Sequence, residues 1–244
     1  MKLAQIQMHV TADKTANLRH AEELLRSVRG ADMAILPEMF CCPYDNSCSR
    51  AYGEPAGGAA YQMLSRTARE LGLWLVGGSL PELDDGRVYN TSFVFDPQGV
   101  CVARHRKMHL FDTPWGRMGR CICVDLRFEE LCRVMALEGA RALLAPAAFN
   151  MTTGPAHWEL LLRQRAVDNQ CFTVGTSPAR DESASYVAWG NSMVCDPWGT
   201  VLHQCGAGEE VAVTELDMTR IAAVRRQLPI LSARRTDVYE LRRV

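Results

Sequence analysis

Two cysteines stand one residue apart in the segment GRCICVDLRF (residues 119–128), where an apolar run gives way to charged residues. Two other reactive side chains also follow short apolar runs: Glu38 comes after AILP, and Lys107 comes after VCVARHR. Catalytic side chains of α/β proteins commonly stand at the ends of strands. A thiol at Cys123, a carboxylate and an amine in such positions are typical of nucleophilic catalysis.

Each of these three residues also has an ordinary structural interpretation. A Glu after Pro is usually a solvated loop residue, a Lys in HRKMH is usually a surface charge, and a Cys in CICVD is more often core than nucleophile. The surroundings of Cys123 favour chemistry, because the N-terminus of a following helix and a nearby Lys both stabilise a thiolate. The backbone N–H of Val124 could then stabilise an oxyanion.

The ten cysteines do not indicate a disulfide framework, because most of them stand singly inside apolar segments and free Cys behaves there as a small buried hydrophobe. The chain has no C-x-x-C pair, which is the usual zinc signature. If their segment is extended, Cys121 and Cys123 lie on opposite faces of a strand and could not share one metal ion. We therefore expect no metal site.

Composition and charge exclude several classes of protein. The 244 residues are 48% hydrophobic and 23% charged, which is typical of a soluble globular protein with a full core. A net charge of −1 argues against a nucleic-acid or acidic-membrane partner. No apolar stretch approaches the roughly 20 residues of a membrane span, and MKLAQIQMHV lacks the apolar core of a signal peptide. The sequence therefore predicts a cytoplasmic protein.

Apolar runs of strand length alternate with amphipathic helical patterns along the whole chain. Two segments, NTSFVFDPQGV (90–100) and NSMVCDPWGTV (191–201), share Asn, Ser, Val, Asp-Pro and Gly in nearly the same order. Each predicts a hairpin around a D-P-x-G turn, and two equivalent hairpins suggest two facing sheets. We predict a strand over 119–125, a helix over 128–138, and one domain over 1–244. The fold class is an α/β sandwich of two mixed sheets with helices on the outer faces.

The three candidate segments resemble the signatures of the nitrilase, or carbon–nitrogen hydrolase, superfamily. Glu stands after LP in LPEMF, Lys stands in R-K-x-H-L-F, and Cys stands in I-C-x-D-x-R-F-x-E-L. The resemblance covers essentially the whole chain, and the segments TGPAHWELLLRQRAVDNQ and SPARDESASYVAWGNS are most similar to the omega-amidase branch. That branch hydrolyses the terminal amide of small 2-oxo dicarboxylic acid monoamides.

The resemblance implies an αββα sandwich that pairs into a homodimer, and it assigns a role to each site residue. Glu38 would be the general base, Cys123 the nucleophile that forms a thioester, and Lys107 the oxyanion ligand together with the N–H of Val124. No cofactor is implied. Cys121 is then a packing residue.

Further positions match the surroundings of the omega-amidase pocket. Tyr44, Phe149 and Asn150 are candidate substrate contacts, although a Tyr in a Pro-containing loop is as often simple packing. Asp125 and Arg127 could bind substrate, but we favour a structural role in which they hold the turn after the nucleophile.

The chain departs from the family pattern in three places. Val124 replaces the usual Tyr, and Arg120 stands where the family tends to have a small residue. Lys107 and Cys123 are only 16 positions apart, whereas family members carry a longer segment with a second catalytic Glu. Here HLFDTPWG would run directly across, and no carboxylate stands between Asp112 and Gly119. A catalytically weakened or inactive dimer that binds small acids or a protein partner is therefore the alternative function.

Overall fold

Short apolar strands pair into two mixed sheets in the computed structural model, which describes residues 1–45, 47, 49–106 and 109–243. Thirteen strands lie within these residues. They are β1 Lys2–Gln7, β2 Met33–Ile35, β3 Trp74–Val76, β4 Leu80–Asp84, β5 Arg87–Phe95, β6 Cys101–His105, β7 His109–Thr113, β8 Gly116–Arg120, β9 Ala142–Pro146, β10 Phe172–Thr176, β11 Met193–Cys195, β12 Val201–Gln204 and β13 Glu210–Glu215.

The two sheets have similar layouts. The first has the order β13-β1-β2-β3-β5-β4, with β6 also paired to β5, and the second has the order β12-β11-β10-β9-β8-β7. The central strands are parallel in both, namely β1–β2–β3 and β8–β9–β10. The carboxyl ends of parallel strands meet at one edge of a sheet, which is where α/β proteins build their sites.

Helices cover the outer face of each sheet. The six helices of the described residues are α1 Lys14–Ser27, α2 Ser49–Tyr52, α3 Ala59–Leu71, α4 Glu129–Leu137, α5 Thr153–Asn169 and α6 Arg220–Gln227. The side chain of Asp13 caps α1 by accepting from the N–H of Ala16, which satisfies one of the free donors of its first turn. None of the helices in these residues is long and apolar enough to cross a membrane.

The core has three apolar layers, as two packed sheets with outer helices require. Side chains of α1 and α3 pack on the first sheet, and side chains of α4 and α5 pack on the second. Between the sheets, Ile35 and Val76 of the first sheet belong to the same buried cluster as Leu144 and Phe172 of the second. The predicted αββα sandwich is confirmed, and so are the two D-P-x-G hairpins, β5–β6 and β11–β12.

The predicted strand over 119–125 is wrong at its carboxyl end. β8 ends at Arg120, and residues Cys123–Arg127 form a short 3₁₀ helix. The chain leaves the sheet because the Asp125 side chain accepts from the N–H of Ile122 at 2.9 Å, which draws the backbone into a turn. Cys121 and Cys123 therefore do not occupy opposite faces of a strand. We call residues 121–125 the elbow.

From the sequence we expected HLFDTPWG to run directly across between Lys107 and Cys123. The structure shows a different path for the segment HLFDTPWGRMGR. It turns back on itself, and β7 pairs with β8 in an unbroken antiparallel register from His109 opposite Arg120 to Thr113 opposite Gly116. Gly116 closes the turn with φ +105°, a conformation that favours glycine. An insertion after Asp112 would separate only the last pair, Thr113 opposite Gly116, so a longer loop would extend the tip of this hairpin and leave the other pairs in place.

The side chain of Arg120 is fully buried. Met118, two positions earlier on β8, belongs to the cluster between the sheets, and the alternation of a strand directs Arg120 to the same side. None of its three guanidinium nitrogens has a hydrogen-bond partner among the described residues. Burial lowers the pKa of Arg120 to about 9, and the nearby Cys121 and Asp125 offset this only in part. Its charge therefore destabilises the fold.

We predict that Arg120→Met raises the free energy of unfolding by about 1–4 kcal/mol, since replacing a buried unpaired charge by an apolar side chain of similar length removes a desolvation penalty. Because the pKa of Arg120 is lowered in the folded state, the penalty is complete below pH 9 and declines above it. Urea unfolding at pH 7 and pH 10 measures both effects, and the advantage of the variant should be smaller at pH 10.

The matched control is Arg117→Met on the same strand, where the arginine is exposed and pairs with Asp112 at 2.9 Å. That change should stay within about 0.5 kcal/mol of the parent. An Arg120→Met protein less stable than the parent would show that this guanidinium stabilises the core.

Candidate active site

The carboxylate of Glu38 is held between the two sheets. It follows Pro37 just beyond the carboxyl end of β2 and is buried. One carboxylate oxygen accepts from the side-chain amide of Asn90 on β5 at 2.8 Å, and the other accepts from the backbone N–H of Ala148, beyond β9, at 2.9 Å. A buried carboxylate that accepts hydrogen bonds from two donors is held firmly in place. Because one donor comes from each sheet, the position of Glu38 depends on how the two sheets pack against each other.

Cys123 lies at the elbow with φ +48°, which is uncommon for a residue with a Cβ and costs of order 1–3 kcal/mol. The hydrogen bond from Ile122 N–H to Asp125 holds this conformation. The thiol is directed to the carbonyl of Ala148 at 3.9 Å, the residue whose N–H binds Glu38. Ala148 therefore brings the thiol and the carboxylate to one place.

The described surroundings of Cys123 raise the pKa of its thiol and so favour the protonated form. Burial raises the pKa of its thiol well above the ordinary value, and the charge of Glu38 raises it further, while a backbone hydrogen bond with Ala148 and the Arg127 guanidinium lower it. The helix N-terminus expected to stabilise a thiolate does not stand directly after Cys123, because a short 3₁₀ helix follows it, and the expected contribution of Lys107 lies outside the described residues. The thiol requires a base, and Glu38 is beside it.

A cavity of about 350 Å³ opens over Glu38. Two tyrosines form part of its wall: the rings of Tyr44 and Tyr186 pack with centroids 4.4 Å apart, and the hydroxyl of Tyr186 donates to the carbonyl of Ala148. The charge of Glu38 is the main cause of the raised pKa of Tyr44, and burial is the main cause for Tyr186. Both phenols therefore stay neutral donors.

The cavity walls come from the carboxyl ends of strands in both sheets. Beyond β1 the lining residues are Val10, Thr11 and Ala12, and beyond β2 they are Glu38, Met39, Cys42, Pro43 and Tyr44. Beyond β9 and β10 they are Ala148, Pro178, Ala179, Asp181, Ser183, Ala184, Ser185, Tyr186 and Ala188. The site therefore occupies the place where parallel strands end, as strand topology favours.

The remaining predicted residues differ in where they lie. Val124 directly follows Cys123 in the first turn of the 3₁₀ helix, and its side chain is exposed. Lys107 lies outside the described residues. Phe149 and Asn150 do not belong to the cavity lining. Phe149 is buried against Trp158, and the Asn150 side chain accepts from the N–H groups of Thr152 and Thr153 at the start of α5.

Asp125 has the structural role that we favoured, since its carboxylate fastens the elbow. Arg127 does not share that role. Its guanidinium donates to a ring nitrogen of His157 at 3.1 Å and lies over the ring of Phe149 at 4.6 Å. Its charge acts on Cys123 and Tyr186, lowering the pKa of each.

Sequence reasoning missed Asn90 and Tyr186. Asn90 lies within a strand pattern and Tyr186 in a long polar loop, so residue type and spacing alone point to neither. Cys121 was correctly interpreted as packing, because it is fully buried in the apolar layer of α4 and α5 and lies beside Cys132. Among the described residues, the three side chains that could share a metal ion, His203, Cys205 and Glu210, lie away from the cavity walls.

Comparison with known proteins identifies the family. The profile described as carbon–nitrogen hydrolase matches residues 2–226. The chain belongs to the carbon–nitrogen hydrolase family. The curated relatives include the omega-amidase NIT2 of Danio rerio, 44% identical with 100% of this chain and 98% of the relative covered, and that of Homo sapiens, 42% identical with 98% and 96% covered.

Solved structures of carbon–nitrogen hydrolases share the fold. Saccharomyces cerevisiae Nit3, a member of branch 10 of the nitrilase superfamily, superposes with a TM-score of 0.90 at 38% identity over 96% of each chain. The expected membership of the superfamily is thus confirmed, and so is the expected class of enzyme, a carbon–nitrogen hydrolase. The alignment with the Danio rerio relative extends over 270 positions, 26 more than the 244 residues of this chain.

We predict that Glu38→Gln lowers the pH at which Cys123 becomes reactive. The negative charge of Glu38 raises the pKa of the thiol, so a neutral amide at this position should lower that pKa and increase the thiolate fraction at a given pH. The rate of alkylation of Cys123 by iodoacetamide, followed by peptide mass spectrometry from pH 6 to pH 10, gives the midpoint for each protein.

Glu129→Gln is the matched control, because Glu129 pairs with Arg133 on α4 and is not among the named causes of the raised pKa of Cys123. Its midpoint should equal that of the parent. A midpoint for Glu38→Gln at or above the parent value would contradict the arrangement of charge described here.

Proposed function

We propose that this carbon–nitrogen hydrolase cleaves the terminal amide of a small 2-oxo dicarboxylic acid monoamide through a thioester on Cys123. The observation that carries the proposal is the buried Glu38 carboxylate beside the protonated thiol of Cys123, both fixed on Ala148. A base within reach of a nucleophile is the requirement for acyl transfer by cysteine.

The first half of the reaction consumes the amide. Glu38 takes the proton of the Cys123 thiol, and the sulfur attacks the amide carbon. The N–H of Val124 and the ammonium of Lys107, in the roles that the family resemblance gives them, stabilise the negative oxygen. Glu38 then returns its proton to the leaving nitrogen. The C–N bond breaks, ammonia departs, and the acyl group remains on sulfur.

The second half regenerates the enzyme. Water enters the position that ammonia left, and Glu38 removes one of its protons while the oxygen attacks the thioester carbon. The C–S bond breaks, the carboxylic acid leaves, and the proton held by Glu38 returns to the sulfur of Cys123. The two fixed hydrogen bonds to Glu38 keep it in place for both transfers.

The size and lining of the cavity support a small substrate. Its volume of about 350 Å³ is near the lower limit of ligand pockets, which is of order 300 Å³. The neutral hydroxyl of Tyr44 can donate to a carbonyl or carboxylate oxygen of a short acid, while that of Tyr186 donates to the Ala148 carbonyl. The omega-amide specificity rests on the likeness to the omega-amidase NIT2 proteins, which are 42–44% identical to the chain over nearly all of their lengths.

The second candidate is a weakened or inactive member of the family that binds small acids or a protein. It is favoured by the 26 extra positions in the alignment with the Danio rerio relative and by the absence of a carboxylate between Asp112 and Gly119. Losing a charged group from an active site commonly costs several kcal/mol of transition-state stabilisation.

We also propose that the 244 residues act as one domain, that the protein is cytoplasmic, and that it acts on neither nucleic acid nor membranes. Nine cysteines of the described residues are free thiols, which fits a reducing compartment. The net charge of −1 gives no electrostatic attraction to anionic surfaces. No step of the proposed mechanism uses a cofactor.

A homodimer is the proposed assembly, with α4 and the C-terminal residues at its interface. An apolar groove of about 580 Å³ lies between α4 and residues 228–241. Leu228 and Tyr239, which line this groove, are both exposed. Exposed apolar groups gathered around one groove are typical of an interaction surface.

We predict that Cys123→Ala reduces ammonia release from a 2-oxo dicarboxylic acid monoamide to the background rate, because the acyl acceptor is lost. Cys121→Ala should retain kcat and lose only about 1 kcal/mol of stability, since that thiol packs in the core. Ammonia release measures the activity of each variant, and urea unfolding measures its stability. Mass spectrometry of the intact parent protein detects the acyl adduct on Cys123.

Three outcomes discriminate between the candidates. A parent protein that releases ammonia and carries the adduct on Cys123 supports the amidase. A folded parent in which iodoacetamide labels Cys123 but which releases no ammonia supports the second candidate. Near-normal turnover by Cys123→Ala would disprove the assignment of the nucleophile. The corresponding dicarboxylic acid monoamide without the 2-oxo group serves as the control for substrate class.

For the assembly, we predict a mass of twice 27.2 kDa in light scattering at micromolar concentration. The change Tyr239→Asp should shift the protein toward the monomer, because a charge would be buried in an apolar interface. Val100→Asp is the control, since Val100 is exposed beside the β5–β6 turn and outside the groove. A parent that is monomeric throughout the micromolar range would contradict the proposal.

A further inference from the structure

We propose that His203, Cys205 and Glu210 form a binding site for Zn²⁺ at the connection between the two sheets. The three side chains belong to β12, to the residue after its end, and to the first position of β13. β12 is the edge strand of the second sheet, and β13 is the edge strand of the first. A metal ion here would link the two sheets.

The separations of the ligand atoms match a tetrahedral zinc site. Nε2 of His203 lies 3.3 Å from a carboxylate oxygen of Glu210 and 3.7 Å from Sγ of Cys205, and all three ligand atoms lie within 4.8 Å of one another. Zinc bonds of roughly 2.0–2.3 Å at tetrahedral angles place N and O about 3.4 Å apart, and N and S about 3.6 Å apart. Two of the three separations therefore already match a tetrahedral zinc ion, and the third, between Sγ of Cys205 and the Glu210 carboxylate, is at most 4.8 Å.

Local structure brings the ligands together. His203 and Cys205 are two positions apart, so extended backbone directs both side chains to one face. The N–H of Cys205 donates to the carbonyl of Ser192 at 2.8 Å, which continues the pairing of β12 with β11. On the other side, Glu210 stands opposite Gln7 in the β1–β13 register. The ligands are therefore attached to two different sheets.

Hydrogen bonds around the cluster hold the loop that joins these strands. The second carboxylate oxygen of Glu210 accepts from the N–H of Gly206 at 2.8 Å, and the side-chain amide of Gln7 donates to the carbonyl of Gly206 at 2.7 Å. Contacts of this kind orient metal ligands and contribute to affinity. The first oxygen of Glu210, which faces His203, is the one available to a metal ion.

Exposure gives the cluster an entrance on one side. The side chains of His203 and Glu210 are 34% and 38% exposed, while Cys205 is buried behind them. A cation can therefore enter from solvent and displace the thiol proton of Cys205, and a water molecule can complete the tetrahedron.

The donor set selects the metal. A thiolate with an imidazole and one carboxylate favours Zn²⁺ over the oxygen-seeking Mg²⁺ and Ca²⁺. An exposed His–Glu pair alone contributes little to stability and does not need a buried thiol between its partners. The pattern H-x-C-x₄-E lacks the paired cysteines of common zinc motifs, so the sequence predicted no metal. The pairing of Glu210 with β1 completes the set.

The test uses Co²⁺ as a spectroscopic substitute for Zn²⁺ in the full-length protein. One Co²⁺ per chain should give a sulfur-to-cobalt charge-transfer band and the visible absorption of a tetrahedral ion. Both should disappear in Cys205→Ser, and His203→Ala should lower Zn²⁺ affinity at least about tenfold in calorimetry. Zn²⁺ should raise the unfolding temperature of the parent but not that of Cys205→Ser.

Two controls make the result decisive. His20→Ala removes a neighbouring surface histidine that pairs with Glu209 at 2.6 Å and should leave the cobalt spectrum unchanged. Cys123→Ala removes the catalytic thiol and should also leave it unchanged. A charge-transfer band that survives in Cys205→Ser or disappears in Cys123→Ala would overturn the proposal. If Cys205→Ser fails to fold, an unchanged affinity in His203→Ala, with folding checked by circular dichroism, would overturn it equally.

Discussion

The hydrogen bonds that hold Glu38 are the interaction on which the site depends. Asn90 supplies one donor from the first sheet, and the N–H of Ala148 supplies the other from the end of a strand in the second sheet. A buried carboxylate needs such donors, because its desolvation is otherwise costly. The packing of the two sheets therefore determines where the base lies, and the apolar layer between them is a condition for catalysis as well as for stability.

The charge of Glu38 also sets the protonation of its neighbours. It raises the pKa of the Cys123 thiol and is the largest cause of the raised pKa of Tyr44. Among the described residues, the site therefore combines the negative charge of Glu38 with a thiol and phenols whose pKa values are raised. Arg127 partly offsets this field at Cys123 and at Tyr186. Such opposing effects at one place are typical of functional sites.

The packing of the two sheets against each other also produces unusual local features at other points of the chain. Arg120 follows the alternation of β8 into the layer between the sheets, where none of the described residues accepts a hydrogen bond from it. The elbow after it holds Cys123 at a positive φ. At the far edges of the sheets, the chain passes from β12 to β13 and gathers His203, Cys205 and Glu210. Each feature arises because one chain segment must satisfy both layers.

Much of this architecture could be predicted because its signals are local. The two D-P-x-G turns predict their hairpins because Pro and Gly have strong conformational preferences. The alternation of apolar runs with helical patterns indicates two sheets covered by helices. Glu38 and Cys123 could be chosen as candidates because each follows an apolar run, and the family signatures gave them roles. The structure places them together.

The sequence by itself determined the fold class, the family and these two reactive residues, because periodicity, turn chemistry and short signatures depend only on neighbouring positions. The tertiary structure decided that β8 ends at Arg120, that Asn90 binds Glu38 and Tyr186 binds Ala148, and that Phe149 packs on Trp158 while Asn150 binds the start of α5. It also decided that burial and the charge of Glu38 raise the pKa of the Cys123 thiol. These outcomes depend on contacts between residues far apart in the chain, and no local pattern carries the burial or the partners that such contacts create.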